Sequence, residues 1–353
     1  MRLALNYQTA MIINMPDQQV GVFKDERMAT NIKKLLLPKT LARAGWALVE
    51  SREDVAGVPY DVGMPEPEFH QVLAEASGIC LGVQPFSDPE LDAAPHLEVV
   101  SRIGVGYDAV DVPALTRRKI PLMIAGTANS VSVAEAGVYL LMSLARRGAA
   151  MDRMVREGRW RDRYGEMPVD LYGKTVLIVG FGKIGTRAAK RLAAMEMHVL
   201  VHDPYIYPET IRGMGYEPVG DLDAAVARAD FITIHCPKTP ETVGLFDAAR
   251  LARMKRTAFL VNTARGGIID EKALYDVLKA NRIAGAALDV FDQEPTPQDN
   301  PLLTLPNFIA APHVAGVTRE AVDRMGVAAV ENILSVLDGK PIRDNVVNKE
   351  VLD

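Results

Sequence analysis

Apolar positions along this chain fall into short continuous runs set between stretches of helical spacing. In the first third, 46–49, 78–83, 97–103 and 121–125 read as strands, while 28–44 (stopped by Gly45) and 66–76 read as helices. Strand-length runs that do not alternate predict strands buried on both faces, and strands alternating with helices predict a parallel sheet. The same pattern restarts at Leu171. Strands are expected at 176–179, 198–202, 216–219, 231–236, 258–264 and 283–290, with helices at 186–195, 222–229, 248–254 and 271–280. A short strand at 308–311 precedes an amphipathic helix over 319–337 that stops at Gly339. Between the two units, 129–147 is a helix apolar round most of its circumference, which its own sheet or a second subunit would have to cover. The charged stretch Glu157 to Arg163 after it reads either as a solvated linker or as an arm reaching a dimer partner.

This order predicts an α/β protein with two Rossmann-like parallel-sheet domains, and 353 residues are enough for two cores. The last helix lies beyond the second unit and is expected to pack back on the first. The first domain is then discontinuous, 1–125 plus 317–353, around a second at 126–316, with two chain crossings as a hinge.

The second unit carries the informative chemistry. Its first strand runs into Gly180, Gly182 and Gly185, in G-x-G-x-x-G spacing, and then into a helix. The glycines provide a tight turn, close approach of backbone to a diphosphate, and close helix–strand packing. The helix N-terminus adds free N–H groups and a partial positive charge. The second strand ends in Asp203, whose carboxylate suits the two ribose hydroxyls of NAD. A 2′-phosphate would meet that charge, and Pro204 and Tyr205 follow it rather than arginine, so NAD is expected over NADP. Ligands in such sheets lie beyond the carboxyl ends of the strands, which here carry Asp203, Cys236, Arg265 and Asp289. Hydride transfer to a carbonyl also needs an anion-binding group, a proton donor and a partner for that donor. Arg265 in NTARGG, Glu294 in DVFDQEP and His313 in APHVAG are one candidate of each kind. Taken singly, each has an ordinary reading as a surface arginine, a loop carboxylate or a satisfied histidine.

Composition narrows the partners. The net charge of −5 gives no basic excess for nucleic acid, and no apolar run approaches membrane-span length. The N-terminus lacks a sustained apolar region with a small-residue cleavage site and reads as a first strand and loop. Cys80 and Cys236 sit in separate apolar strands and look like buried thiols of a cytoplasmic protein, with neither disulfide nor metal site expected.

Taken together and in order, GFGKIG, HDP, NTARGG, LDVF-x-x-EP and PHVAG resemble the D-2-hydroxyacid dehydrogenases, as do RIGVGYDAVDV and SVAEAGVYLLMSLAR earlier. The resemblance runs from about Leu97 to Asn345. It implies a flavodoxin-like substrate domain beside the NAD domain, and an NAD-dependent reaction on a small anionic 2-hydroxy acid of the phosphoglycerate or glycerate/hydroxypyruvate type. Arg265 would bind the substrate carboxylate and carbonyl, His313 would exchange the proton, and Glu294 would hold the far nitrogen of His313. Gly104, Val105 and Gly106 would offer backbone N–H groups to the carboxylate. Lys183 and Ile184 would follow the diphosphate turn, and Cys236 would line the adenine side. Thr263, Ala264 and Asp289 would hold the nicotinamide end. From the apolar helix and charged arm described above, a homodimer through 129–163 is expected. Ala136 stands where many members have His, with a packing consequence only. The chain ends at Asp353, so the regulatory domain of some phosphoglycerate dehydrogenases, and serine control through it, is not expected. Two alternatives stay open on the same fold: a phosphite-type dehydrogenase, and an NAD-sensing corepressor that binds peptides. Formate is disfavoured because formate enzymes carry Gln at the place of Glu294. The substrate side chain is expected to be read by 6–10, 83–86 and Tyr107, with Arg102 the one arginine among them.

Overall fold

The computed structural model of the protein describes residues 32–165 and 167–353. The expected first strand, the loop 6–10 and the first residues of the 28–44 helix lie outside that range. Five strands, β1 (Lys33–Pro38), β2 (Val55–Tyr60), β3 (Ala76–Leu81), β4 (Val99–Arg102) and β5 (Leu122–Met123), form a parallel sheet in the order β2-β1-β3-β4-β5. That is the flavodoxin-like order. Seven more form a second parallel sheet: β6 (Thr175–Val179), β7 (His198–His202), β8 (Glu217–Pro218), β9 (Phe231–Ile234), β10 (Phe259–Asn262), β11 (Gly285–Leu288) and β12 (Phe308–Ala310). Their order, β12-β11-β10-β9-β6-β7-β8, is that of a Rossmann sheet with one added edge strand.

Three differences from the sequence pattern fall in the first sheet. Residues 33–38, expected as helix, are β1, because Leu35, Leu36 and Leu37 are all fully buried: successive side chains point to opposite faces and both faces are covered. The expected strand 46–49 lies instead within the helix Arg43–Glu50, where Gly45 and Val49 face inward. The unforeseen strand β2 contains Gly57 and Pro59, poor strand residues that are tolerated because β2 is an edge.

The helix Arg319–Leu337 packs on the first sheet, against the helix Arg43–Glu50 and strands β3 and β4. Small residues permit this. A Cβ on Gly45 would lie 2.9 Å from the Gly326 carbonyl oxygen, and one on Gly78 would lie 2.8 Å from Ile333. Buried asparagines then tie the C-terminal segment down. Asn332 donates to the Ile124 carbonyl (2.9 Å) and accepts from Asn345 (2.8 Å). Asn348 accepts from the Leu122 N–H (2.8 Å) and donates to the Ile120 carbonyl (3.0 Å). Replacing Asn348 by Ala leaves that donor and acceptor buried and unpaired, a loss of about 2 kcal/mol. A lowered denaturation midpoint is expected for Asn348→Ala, and a midpoint equal to wild type would contradict this role in the lobe.

Candidate active site

The turn after β6 meets the end of β9 at the point where the sheet order reverses. Gly180 adopts φ +92°, and a Cβ there would lie 2.5 Å from the Cys236 backbone nitrogen. A Cβ on Gly185 would run into the Gly180 carbonyl, so helix and turn touch only because both residues are glycine. Gly182 has open space around its Cα. Two of the glycines are therefore required by the protein's own packing and one faces outward, the arrangement a diphosphate needs. Lys183 is exposed and Ile184 half-buried on the same turn. Asp203 is already oriented: its Oδ2 accepts from the Phe181 N–H (2.7 Å) and its Oδ1 from the Tyr205 N–H (2.9 Å). Each oxygen keeps a lone pair for a ribose hydroxyl. Cys236 forms the facing wall, and burial pushes its thiol up to about 11. These residues fit a dinucleotide.

Arg265, Glu294 and His313 leave the ends of β10, β11 and β12, three adjacent strands. The NTARGG turn is built by the buried Asn262, whose amide donates to the Arg265 carbonyl (2.8 Å) and whose oxygen accepts from the Ala264 N–H (2.9 Å). Gly266 has no room for a Cβ beside the Phe291 carbonyl, so this turn lies directly against the Glu294 loop. Glu294 accepts from the Phe291 N–H through Oε1 (2.9 Å) and pairs through Oε2 with His313 Nδ1 at 2.6 Å. His313 has φ +54°, a left-handed conformation uncommon for a side-chain-bearing residue. Asp289 holds it there. Its carbonyl accepts from the His313 N–H (2.8 Å), and its carboxylate accepts from the N–H groups of Val314 and Ala315 (both 2.9 Å). Burial to 1% exposure raises the Asp289 carboxyl above the usual carboxylate range, with the two N–H bonds acting against that shift. The expectation for Asp289 concerned the nicotinamide; the contacts it makes within the chain anchor the histidine loop.

From the other lobe, the Gly104–Val105–Gly106 turn reaches Arg265. A Cβ on Gly106 would collide with Arg265 Nη2, and the Arg265 Nε donates to Asp108 at 2.9 Å. Neither Asp108 nor the turn-building Asn262 stood out in the sequence. Arg102 is largely buried and donates to the carbonyls of Leu81, Gly82 and Gly106, joining two loops of the first lobe. The Thr263 hydroxyl is buried without a partner, 3.8 Å from the place a Cβ on Gly137 would take, and so faces the helix Ser130–Arg146. His235 lies in the same region, with Nε2 3.0 Å from Thr233 Oγ1 and Nδ1 buried and unpartnered.

Residues 138–315 match the model of the D-isomer specific 2-hydroxyacid dehydrogenase NAD-binding domain. The chain belongs to that family. It is 40% identical over 298 residues to the D-3-phosphoglycerate dehydrogenase of Archaeoglobus fulgidus, covering 84% of this chain but 56% of that protein. It is also 40% identical to the glyoxylate reductase of Korarchaeum cryptofilum, covering 78% of this chain and 83% of that one. Among solved structures it resembles the TT0316 protein of Thermus thermophilus, with a TM-score of 0.81 and 33% identity over 89% of this chain and 99% of that one. The chain thus spans little more than half of the phosphoglycerate dehydrogenase it matches.

Burial pushes the His235 imidazole down from 6.5 to about 4. The unfolded chain therefore binds this proton more readily than the folded one, and stability present above pH 6.5 is lost as pH falls toward 4. The loss is on the order of 3 kcal/mol. His235→Leu is expected to unfold at lower pH than wild type in an acid titration followed by circular dichroism; an unchanged acid midpoint would contradict the assignment.

Proposed function

We propose that this chain is an NAD-dependent dehydrogenase of small 2-hydroxy acids, acting as a 2-oxo acid reductase, with Arg265, Glu294 and His313 as its catalytic residues. The observation that carries this is the 2.6 Å pairing of His313 Nδ1 with Glu294, on a loop adjoining the Arg265 turn. We assign 126–316 to the cofactor lobe and, of the expected 1–125 with 317–353, the described 32–125 and 317–353 to the substrate lobe. Gly180, Gly182 and Gly185 cradle the diphosphate with Lys183 and Ile184, Asp203 takes the ribose hydroxyls, and Cys236 lines the adenine side. Thr263, Ala264 and Asp289 border the nicotinamide end.

Bound NADH supplies the hydride for C2 of the oxo acid. Arg265 holds the substrate carboxylate with its planar fork and draws charge from the carbonyl oxygen, helped by backbone N–H groups of Gly104 to Gly106. Glu294 occupies Nδ1 of His313, which fixes the ring and leaves Nε2 to deliver the proton to the carbonyl oxygen. The products are the 2-hydroxy acid and NAD. The bonds Arg102 makes to three carbonyls favour an unphosphorylated substrate of the glyoxylate or hydroxypyruvate kind over phosphoglycerate. Asp203 favours NAD over NADP. No helix of the described residues is long and apolar enough to cross a membrane. The free thiols Cys80 and Cys236 suit the cytoplasm.

We also propose a homodimer through 129–163. The helix Gly148–Arg156 buries none of its residues, and Trp160 and Tyr164 after it are 62% and 69% exposed. Met151, Met154, Val155, Trp160 and Arg163 line an apolar pocket of about 190 Å³ there.

Oxidation of NADH by glyoxylate, hydroxypyruvate, pyruvate and phosphohydroxypyruvate tests the function, alongside NADPH and NAD with phosphite. Turnover on an unphosphorylated acid, preference for NADH, and a kcat reduced about 1,000-fold in His313→Ala are expected. No turnover on any acid, or full activity in the variant, would contradict the proposal. Sedimentation of the intact chain should show a dimer that Trp160→Asp weakens; a monomeric wild type would exclude that interface.

A further inference from the structure

Asp108 is the one acidic side chain that reaches Arg265 among the described contacts, and it comes from the opposite lobe. It lies two residues after the Gly106 turn, outside the helix Val112–Arg117, whose capping carboxylate is Asp111. Its contact is specific in atom as well as residue. The bond at 2.9 Å goes to Nε, at the root of the guanidinium, while Nη1 donates to the adjacent Ala264 carbonyl (2.7 Å) and Nη2 lies over Gly106. Holding Nε sets the plane of the fork without using the outer edge that a planar carboxylate would engage.

The charges around this contact agree with its geometry. Arg102 and Arg265 are close enough for the positive charge on Arg265 to act, after burial, against protonation of Arg102, while Asp108 acts the other way. Arg102 in turn is fixed by its bond to the Gly106 carbonyl at 2.8 Å. The Gly106 turn therefore carries an arginine on one side and receives a second from the opposite lobe, with Asp108 bonded to that second one. At 60% side-chain exposure Asp108 contributes little to global stability, so its position calls for another explanation.

We infer that Asp108 is a positioning residue for the proposed reaction: from the substrate lobe it orients the Arg265 guanidinium for the substrate carboxylate and couples that orientation to closure of the two lobes. This rests on the dehydrogenase reading. Asp108 exchanges no proton and touches no reacting atom. It acts through Arg265 alone, so its loss should appear in substrate binding and leave cofactor binding intact.

The test is steady-state kinetics of wild type, Asp108→Asn and Asp108→Glu on the best oxo acid of the panel, with NADH affinity measured separately by fluorescence quenching. For Asp108→Asn the KM of the oxo acid should rise about fivefold, kcat and the NADH Kd should each move less than about twofold, and Asp108→Glu should recover most of the loss. An unchanged KM would overturn the assignment. A lowered KM would overturn it too, showing that Asp108 competes with the substrate for the arginine. An equal loss of NADH affinity would indicate a merely structural role and would also overturn it. Wild type inert on every acid would instead remove the dehydrogenase reading and this inference with it, which separates the two failures.

Discussion

One buried carboxylate organises the edge of this protein that carries the proposed catalytic residues. Asp289 is 1% exposed and spends both oxygens on the backbone N–H groups of Val314 and Ala315, while its own carbonyl receives the His313 N–H. Three bonds from one residue fix a left-handed turn that a histidine would not adopt by preference. The same turn brings Nδ1 to Glu294. Desolvation works against the charge on Asp289, and the N–H groups offset it only because the 313–315 backbone points inward. Turn and carboxylate thus stabilise each other, and the imidazole is held from the backbone as well as from its ring.

The same economy appears across the cleft. Glycines at 106, 180, 185 and 266 each stand where a Cβ would strike backbone or the arginine fork. They let parts of separate loops approach to van der Waals contact, so the site is assembled by closeness of main chain rather than by long flexible side chains. Arg265 belongs to the cofactor lobe yet lies on the Gly106 turn of the other. The arginine proposed to bind the substrate anion is thus also a point of contact between the two lobes.

Much of this was legible in the sequence because its determinants are local. The spacing of Gly180, Gly182 and Gly185 and the carboxylate at Asp203 depend on a single strand–turn–helix unit, and that unit forms from β6 through β7. The Glu294–His313 pairing was legible only through the combination of motifs, since nothing in either loop alone brings the two together. The first lobe misled where local and tertiary demands differ. Residues 33–38 carry helical spacing, but two covered faces make them a strand; Val55–Tyr60 was hidden by Gly57 and Pro59, which only an edge position tolerates. Asp108 was invisible because its partner is 157 residues away.

The most direct measurement is a crystal structure of the protein with NAD and oxamate, a stable mimic of a 2-oxo acid. The oxamate carboxylate is expected on the Arg265 fork, with Nε2 of His313 within hydrogen-bond distance of the oxygen that mimics the reacting carbonyl and the nicotinamide C4 on the adjoining face. Oxamate bound away from Arg265, or His313 turned from that oxygen with the lobes closed, would contradict the catalytic assignment.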